Sequence, residues 1–298
     1  MRVDAQPNEV PEVPDFVALG HATRDLLPGG DWRLGGTVTF AALTAQRLGL
    51  HAAVLTSGPP DLLAALRAAL PGVALACLPA PDATTFENVY AGGARTQYLR
   101  GRAAPISAHD LPAAWREARI ALLAPLAGEV EHALASAFPH ALVAATPQGW
   151  LRRWDANGRV TPGPLDDAES LLPHLRALIL SREDPPASTT ISAIPDSADA
   201  QIAAWARVVP LVAVTRGPDG ALLYRDGGDP ESFPGYPARE LDPTGAGDVF
   251  AAAFLCALDT TGDPRAAVDF ANRAAALSVE HPGAVGIPTR ADIARRFG

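Results

Sequence analysis

The sequence predicts an α/β fold, in which helices cover both faces of a mostly parallel central sheet and a small β lid lies over the carboxyl ends of its strands. First, short apolar runs of strand length alternate with stretches that have apolar residues at helical spacing. Second, segment 84–100 is rich in β-branched and aromatic residues around Gly92-Gly93, a pattern that favours a hairpin. Third, the chain has 298 residues, 48% of them hydrophobic, which suffices for a large core.

The predicted elements follow one another along the chain in this alternation. Residues 16–20 form a short apolar run that ends in glycine, which predicts a first buried strand. Residues 37–48 have apolar residues at helical spacing and stop at Gly49, a favourable end for a helix. The further predicted strands are 52–56, 73–78, 120–124, 142–145, 178–180 and 211–215. The further predicted helices are 62–70, 129–138 and 199–208.

The chain is expected to contain one domain, formed by residues 16–298, with lid segments near 25–36 and 84–102. Residues 1–15 contain three prolines, two glutamates and no apolar run, which predicts a flexible tail rather than a signal peptide. The longest strongly apolar run, 249–258, is far shorter than the roughly 18 residues that a membrane span needs. We therefore expect a cytoplasmic protein with no membrane partner.

Charge and cysteine content exclude several classes of protein. The net charge is -9 and the sequence pI is about 5.2, so the basic face of a nucleic-acid-binding domain is not expected. Two cysteines, Cys77 and Cys256, cannot supply a disulfide framework or a four-ligand zinc site. They are expected to be reduced thiols, as is usual in the cytosol.

The strongest chemical signal is the segment 242–250, Asp-Pro-Thr-Gly-Ala-Gly-Asp-Val-Phe, which precedes an alanine-rich helical run. Gly245 and Gly247 allow the backbone to turn sharply and to approach a ligand closely. The free N–H groups at the start of the helix then form an anion site. Asp248, at the mouth of this site, can accept a proton from an attacking hydroxyl. On local grounds alone, an ordinary capped helix explains the same residues equally well.

Two common nucleotide-binding motifs are absent from the sequence. It has no Gly-x-x-x-x-Gly-Lys-Ser/Thr segment, which excludes a Walker-type nucleotidase. It also has no complete Gly-x-Gly-x-x-Gly after an early strand, which disfavours a dinucleotide-binding oxidoreductase.

Residues 242–254 resemble the C-terminal signature of the ribokinase (PfkB) family of sugar kinases, and further similarities follow in family order over most of the chain. They are Gly20 to Asp25, similar to the family's Gly-x-x-x-x-Asp; Gly35-Gly36 with the helix ending at 47–49; the Thr-x-Gly-x-x-Gly turn at 215–220; and 270–279, 283–284 and 288–289, similar to the closing helix and tail. The resemblance implies a ribokinase-like three-layer sandwich and an ATP- and Mg²⁺-dependent kinase acting on a hydroxyl of a sugar or polyol.

The resemblance also implies roles for individual residues. Asp248 would be the general base, and Gly245, Ala246 and Gly247 would form the anion hole. Substrate would be bound by Asp25, Gly35, Gly36, Phe40 and Gln148. Nucleotide would be bound by Thr215, Gly217, Gly220, Thr244 and Asn272.

Two positions depart from the family pattern. Phe40 stands where many of these sugar kinases have an asparagine, so an aromatic face replaces an amide that would bind a ribose-type substrate. The family's Asn-x-x-Glu segment, associated with magnesium and phosphate, appears as residues 181–184, Ser-Arg-Glu-Asp. Asp184 is the expected residue for magnesium, whose preferred ligands are hard oxygens, and Glu183 is its rival.

Several alternatives stay open at the level of the sequence. The nearest is a nucleoside or cyclitol kinase of the same fold, and one from another class is a catalytically inactive sugar-sensing protein. A monovalent cation such as K⁺ beside the anion hole and a homodimer that pairs through an exposed lid edge are further expectations. His21 can touch substrate or be an ordinary hydrogen-bonded histidine. Arg95, Arg100 and Arg102 flank the lid hairpin, where they can meet phosphate or simply be solvated.

Overall fold

The computed structural model describes residues 12–91, 94–185 and 198–298. Gly92-Gly93, expected at the hairpin turn, and residues 1–11 of the expected tail lie outside the described residues. The strands are β1 Phe16–Leu19, β2 Thr23–Leu26, β3 Trp32–Gly35, β4 Ala52–Gly58, β5 Ala74–Pro79, β6 Thr84–Ala91, β7 Ala94–Gly101, β8 Ile120–Leu123, β9 Leu142–Ala145, β10 Arg152–Trp154, β11 Val160–Pro162, β12 Ala177–Ser181, β13 Leu211–Thr215, β14 Ala221–Arg225 and β15 Glu231–Phe233.

The α-helices are α1 Thr37–Arg47, α2 Pro60–Ala69, α3 Ala168–Leu171, α4 Ala198–Ala206, α5 Ala246–Thr261, α6 Pro264–Ser278 and α7 Arg290–Phe297. Short 3-10 turns lie at Ala113–Glu117, His132–Ala137, Pro147–Gly149, Leu172–His174, Gly217–Asp219 and Gly283–Gly286. Of the helices in the described residues, none is long and apolar enough to cross a membrane.

The central sheet has the strand order β15-β14-β13-β12-β9-β8-β1-β4-β5. From β13 to β5 every neighbouring pair is parallel, and β14 and β15 are added at one edge in antiparallel fashion. All residues of β1, β4 and β8 are buried, as is typical of a parallel sheet that is covered on both faces. The predicted α/β fold is thus confirmed.

Two apolar cores lie on opposite faces of this sheet, because successive side chains of a strand point to opposite sides. Phe16 and Ala18 belong to the core that the sheet shares with helices α1, α2, α5 and α6. Val17 and Leu19 belong to the other core, which includes residues of α4 and of the 3-10 turns. Helices on both faces make the arrangement a three-layer sandwich.

The lid is a second sheet with the order β3-β2-β6-β7. β2 pairs with β3 and β6 pairs with β7 in antiparallel fashion, whereas β2 and β6 are parallel. β2 begins four residues after β1 ends, so the lid continues from the carboxyl end of a central strand. The two segments expected to form a lid therefore pair with each other, while their inclusion with the rest of 16–298 in one domain stays a prediction.

The structure differs from the sequence-based prediction in three places. The β14–β15 extension and the β10–β11 hairpin were not predicted. β10, β11 and β15 have only three residues each, and those of the hairpin are largely polar, whereas β14 has five residues and directly follows the glycine turn at 217–220. The helix predicted at 129–138 is only a 3-10 turn, His132–Ala137. Its expected first residue, Glu129, instead accepts hydrogen bonds from the backbone N–H groups of Leu126 and Ala127, so the chain is still in a loop there.

Candidate active site

A cavity of about 320 Å³ lies between the lid and the carboxyl ends of the central strands, and we call it the first cavity. Its lid side comes from β2, β3, β6 and β7, and its base from the starts of α1 and α5 and the loop after β9. The residues around it are Thr23, Asp25, Arg33, Gly36, Thr37, Phe40, Phe86, Asn88, Arg95, Gln97, Leu126, Gln148, Arg152, Pro243, Thr244, Gly245, Gly247 and Asp248.

A second cavity of about 180 Å³ lies on the other side of the segment 243–247. It is mostly apolar and is formed by the turn after β13, the segment 235–238 and the facing sides of α5 and α6. Pro243 and Gly247 border both the first and the second cavity. The glycine turn therefore separates the two sites.

A small cavity of about 80 Å³ joins these two. It shares Gln148 and Asp248 with the first cavity, Thr215 with the second, and Gly247 with both. Asp184, after β12, also lines it. Two carboxylates and the start of α5 thus meet between two larger binding spaces.

The glycine turn at the start of α5 is held in place by an aromatic ring. Gly245 has a φ of 80°, a left-handed conformation that favours glycine. A Cβ atom at Gly245 would come within 2.3 Å of the Phe40 ring, whereas one at Gly247 would meet nothing within 4 Å. Among the described residues, the backbone N–H groups of Gly247 and Asp248 have no hydrogen-bond partner. Free N–H groups at the start of a 16-residue helix suit an anion.

Asp248 lies where the first cavity and the small cavity meet. Burial raises the pKa of its carboxyl to about 6, a hydrogen bond from the Thr37 side chain and the charge of Arg152 lower it, and the charges of Asp184 and Asp25 raise it. A base with a pKa just below neutral is largely ionised near pH 7 and still accepts a proton readily. The environment of Asp248 therefore suits proton abstraction.

The paired glycines at the end of β3 allow close contact with Asp25 and with the backbone at His21. A Cβ atom at Gly35 would lie 2.6 Å from Asp25 Oδ2. Gly36 has a φ of 98°, and a Cβ atom there would lie 2.5 Å from the His21 carbonyl oxygen. The Thr23 hydroxyl donates to Asp25 Oδ1 at 3.2 Å. Burial raises the pKa of Asp25, and the nearby Arg33 guanidinium lowers it.

Phe40 and Gln148, both expected to bind substrate, line the first cavity. Phe40 is only 4% exposed, and its ring packs against Gly245, so it supports the glycine turn as well. The Gln148 amide donates to Asp184 Oδ1 at 3.1 Å. Gln148 thereby connects the first cavity to the carboxylate in the small cavity.

The two residues expected to serve a metal lie in different surroundings. Asp184 lines the small cavity, accepts a hydrogen bond from the Ser181 backbone N–H at 2.8 Å, and has a pKa raised by burial. Glu183 is exposed and lines none of the three cavities. The Thr146 hydroxyl, in the same cavity as Asp184, is buried without a partner in the described residues.

The described residues contain no group of three or more acidic, histidine or cysteine side chains that could hold a metal. Mg²⁺ needs no such cage, because it commonly keeps water and phosphate ligands beside one or two carboxylates. Asp184 and the unpartnered Thr146 hydroxyl therefore fit a hydrated Mg²⁺, and Glu183 does not.

Four of the five residues expected at a nucleotide border the second cavity: Thr215, Gly217, Gly220 and Asn272. Asn272 is 6% exposed, and its side-chain amide donates to the Pro234 carbonyl at 3.2 Å. Thr244 is placed differently from the expectation. It borders the first cavity, where its hydroxyl accepts a hydrogen bond from Arg33 at 3.0 Å.

Sequence reasoning missed Arg152 and Arg33, which both line the first cavity. Burial lowers the pKa of Arg152 to about 10, while the charges of Asp184, Glu129 and Asp248 raise it. Arg152 is the first residue of β10, a strand that was not predicted. It closely follows the turn after β9, and this position near the carboxyl end of a central strand could have marked it as a site residue. Arg33 lies in β3, within the expected lid segment 25–36, but no role was predicted for this arginine.

The buried residues His21 and Glu129 support the site without lining any of the three cavities. The Glu129 carboxylate accepts backbone N–H groups of His21 at 3.0 Å, Leu126 at 2.9 Å and Ala127 at 2.7 Å. The His21 ring nitrogens lie 2.6 Å from the Thr84 hydroxyl and 2.8 Å from the Ala104 carbonyl oxygen. His21 therefore ties β1 to the lid and is an ordinary buried histidine.

Comparison with known proteins identifies a family and several relatives that this chain resembles. Residues 125–290, more than half of the chain, match the family described as pfkB family carbohydrate kinase. The ribokinase of Bacillus subtilis is 46% identical over 81 residues, which cover 27% of this chain and 27% of that protein. That match thus spans about a quarter of the relative's length. The cytidine kinase of Thermococcus kodakarensis is 26% identical over 261 residues, covering 81% of this chain and 87% of that protein.

The structure resembles a solved pyrophosphate-dependent kinase in the ribokinase family, complexed with a pyrophosphate analog and myo-inositol, with a TM-score of 0.77. The two are 22% identical, and the similarity covers 94% of this chain and 99% of the other. This likeness shows that the fold is ribokinase-like, with its large parallel sheet and small lid. Together with the match of residues 125–290, it leads to one conclusion: the chain belongs to the pfkB family of carbohydrate kinases.

Proposed function

We propose that the protein transfers the γ-phosphoryl group of ATP to a hydroxyl of a sugar or polyol that binds in the first cavity. The observation that carries the proposal is the small cavity, where the Asp248 carboxylate, the free N–H groups at the start of α5 and Asp184 converge. An acceptor on one side and a donor on the other would meet there. Phosphoryl transfer depends on such positioning and on stabilisation of charge.

The acceptor would be activated by Asp248. Its carboxylate would take the proton of the attacking hydroxyl as the oxygen bonds to the γ-phosphorus, and ADP would leave with the electrons of the broken bond. The backbone N–H groups of Gly247 and Asp248 would donate to the phosphoryl oxygens. Asp25 would orient the acceptor by accepting hydrogen bonds from its other hydroxyls.

Asp184 would serve the metal. A bound Mg²⁺ would neutralise phosphate charge. Asp184 would hold it through its water ligands, and the Gln148 amide would keep the carboxylate in place by its hydrogen bond.

ATP is the donor that the second cavity supports. Its lining is mostly apolar and includes Tyr236, Phe250 and Val279, which suits a nucleobase. A pyrophosphate donor is the second candidate, since a structural neighbour uses it. Pyrophosphate has no base, however, and would leave this apolar space without an occupant.

The relatives leave the acceptor open between a ribose-type sugar, a nucleoside and a cyclitol, according to their printed names. A catalytically inactive sugar sensor is disfavoured, because Asp248 and the free N–H groups needed for transfer lie together. A cytoplasmic location, a K⁺ ion beside the anion hole and a homodimer through the lid stay predictions.

A coupled assay of ADP release over sugars, cyclitols and nucleosides tests the proposal. At least one acceptor should raise ADP release well above the rate with ATP alone, and phosphate analysis should find the acceptor phosphorylated. Parallel reactions with pyrophosphate identify the donor. If no acceptor in the panel were phosphorylated from either donor, the proposed transfer would be wrong.

A further inference from the structure

Two arginines of the first cavity have no acidic partner. Arg95 and Arg152 both line this cavity, and no carboxylate of the described residues lies within 4 Å of either guanidinium. Arg33, in the same cavity, has two such neighbours: Asp242 at 3.6 Å and Asp25 at 3.9 Å. Arg95 is exposed, whereas Arg152 is partly withdrawn from water and burial lowers its pKa, so an anionic ligand would offset the desolvation of Arg152.

The contacts of these two arginines leave most of their donors free. Arg95 donates from Nε to Asn88 Oδ1 at 2.9 Å, and Arg152 donates from Nη1 to the Leu126 carbonyl at 3.1 Å. The Arg152 guanidinium also lies over the Phe86 ring, 5.2 Å from its centroid. A guanidinium has five N–H donors, and in Arg95 and Arg152 alike only one of them makes a hydrogen bond within the described residues.

The positive charges of Arg95 and Arg152 both lie at the first cavity. The charge of Arg95 contributes to lowering the pKa of Arg152, so the two guanidiniums are close enough to repel each other. The charges of Asp184, Glu129 and Asp248 also act on Arg152, although among the described residues none of these carboxylates forms an ion pair with it. Asp184 accepts hydrogen bonds from Gln148 and Ser181, and Glu129 accepts backbone N–H groups. Asp25 lies 3.9 Å from Arg33.

The donor phosphates are a poor explanation for this pair. Neither Arg95 nor Arg152 lines the second cavity or the small cavity, where donor phosphates would lie. Arg95 is on lid strand β7, and Arg152, in β10, lies against the lid residue Phe86 and donates to the Leu126 carbonyl. A ligand that binds both would lie on the lid side of the first cavity, where the acceptor is proposed to bind.

We propose that the acceptor carries an anionic group, a phosphate or a carboxylate, that Arg95 and Arg152 bind while a hydroxyl elsewhere on the molecule faces Asp248. This inference rests on the proposed phosphoryl transfer and specifies its substrate class. Guanidinium groups suit such anions because their planar forks match phosphate and carboxylate oxygens. The charge would also position the acceptor and help the lid to close over it.

Matched acceptors test this inference directly. We would compare a pentose with its monophosphate, and an aldose with its aldonate, measuring kcat/KM with ATP and Kd by calorimetry without donor. In at least one pair, the anionic acceptor should have a kcat/KM at least about tenfold higher, and a Kd at least about tenfold lower, than its neutral counterpart. That is the size expected for hydrogen bonds to a charged group. The two pairs show whether phosphate or carboxylate is the group bound.

Variants link the preference to the two arginines. Arg95→Met and Arg152→Met should each lower the anionic-to-neutral ratio of kcat/KM by about 10- to 100-fold. Arg100→Met is the matched control, because Arg100 is on the same strand, is paired with Glu87 at 2.7 Å and does not line the cavity. It should leave the ratio unchanged. Arg95 is exposed, so its variant stays informative even if Arg152→Met folds poorly.

The outcomes separate this inference from the proposed function. If neutral members were preferred in binding and in turnover, or if the arginine variants left the ratio unchanged, the inference would be wrong while the kinase activity stood. If anionic ligands bound through the two arginines but no acceptor were phosphorylated, the binding site would stand and the proposed function would fail.

Discussion

The glycine turn offers a test in which stability and activity should change in opposite directions. At Gly247 the backbone is helical, and a Cβ atom would meet nothing within 4 Å. Gly247→Ala should therefore fold normally and gain up to about 0.5 kcal/mol from the better helix propensity of alanine. The added methyl group would, however, project beside the N–H groups that face the γ-phosphoryl group.

We expect Gly247→Ala to reduce kcat by at least about 10²-fold, the scale of losing one donor of an oxyanion site. Gly245→Ala is the matched comparison. Its residue would have to adopt a φ of 80°, and its Cβ would lie 2.3 Å from the Phe40 ring. Strain and overpacking together should cost about 2 to 5 kcal/mol and lower the melting temperature by about 3 to 8 °C.

Thermal unfolding and steady-state turnover of the two purified variants give the comparison. A Gly247→Ala protein with unchanged melting temperature and unchanged kcat would refute the assignment of this turn as the phosphoryl-binding site. A Gly245→Ala protein as stable as the wild type would refute the described packing of Phe40.

Two further predictions concern the carboxylates. Because burial raises the pKa of Asp248 to about 6, log kcat/KM should rise with slope one below pH 6 and level off above it; a flat profile between pH 5 and 7 would contradict Asp248 as the base. Because the pKa of Asp248 is higher in the folded protein than in the unfolded chain, protonation of Asp248 stabilises the folded state. This stabilisation is fully present below the pKa of the unfolded chain, and it is lost as the pH rises through about 6. Asp184→Asn should lower kcat by at least about tenfold and raise the Mg²⁺ concentration for half-maximal rate, and the exposed Glu183→Gln should do neither; equal effects would contradict the assignment.

Much of the fold is encoded in patterns that act over short distances. The runs 142–145 and 211–215 coincide with β9 and β13, because a strand that is buried on both faces is a continuous apolar run. Gly245, directly before α5, was identifiable for a similar reason, since its φ of 80° favours a residue without a side chain. These features depend on near neighbours in the sequence.

The missed parts depend on contacts between distant segments. Arg152 meets Phe86 and Leu126 only after β10 folds against the lid, and no local pattern marks an arginine as facing a cavity. Thr244 was expected to bind nucleotide, but it borders the first cavity. Its hydroxyl accepts a hydrogen bond there from Arg33, which lies 211 residues earlier in the chain. Side-chain direction at such positions is set by tertiary contacts.

The role of Asp248 is the central claim, and Asp248→Asn tests it. Asparagine keeps the size of the side chain and can still accept the hydrogen bond from Thr37, but it cannot take a proton. The variant should fold and, above pH 6, be at least as stable as the wild type, because it removes a buried carboxylate.

The measurement is the turnover of purified Asp248→Asn on an acceptor that the wild type phosphorylates, with ATP binding measured alongside. The account predicts near-normal ATP affinity and a kcat lower by about 10² to 10⁴-fold, the usual scale for loss of a general base. Near-normal kcat in this variant would contradict the account.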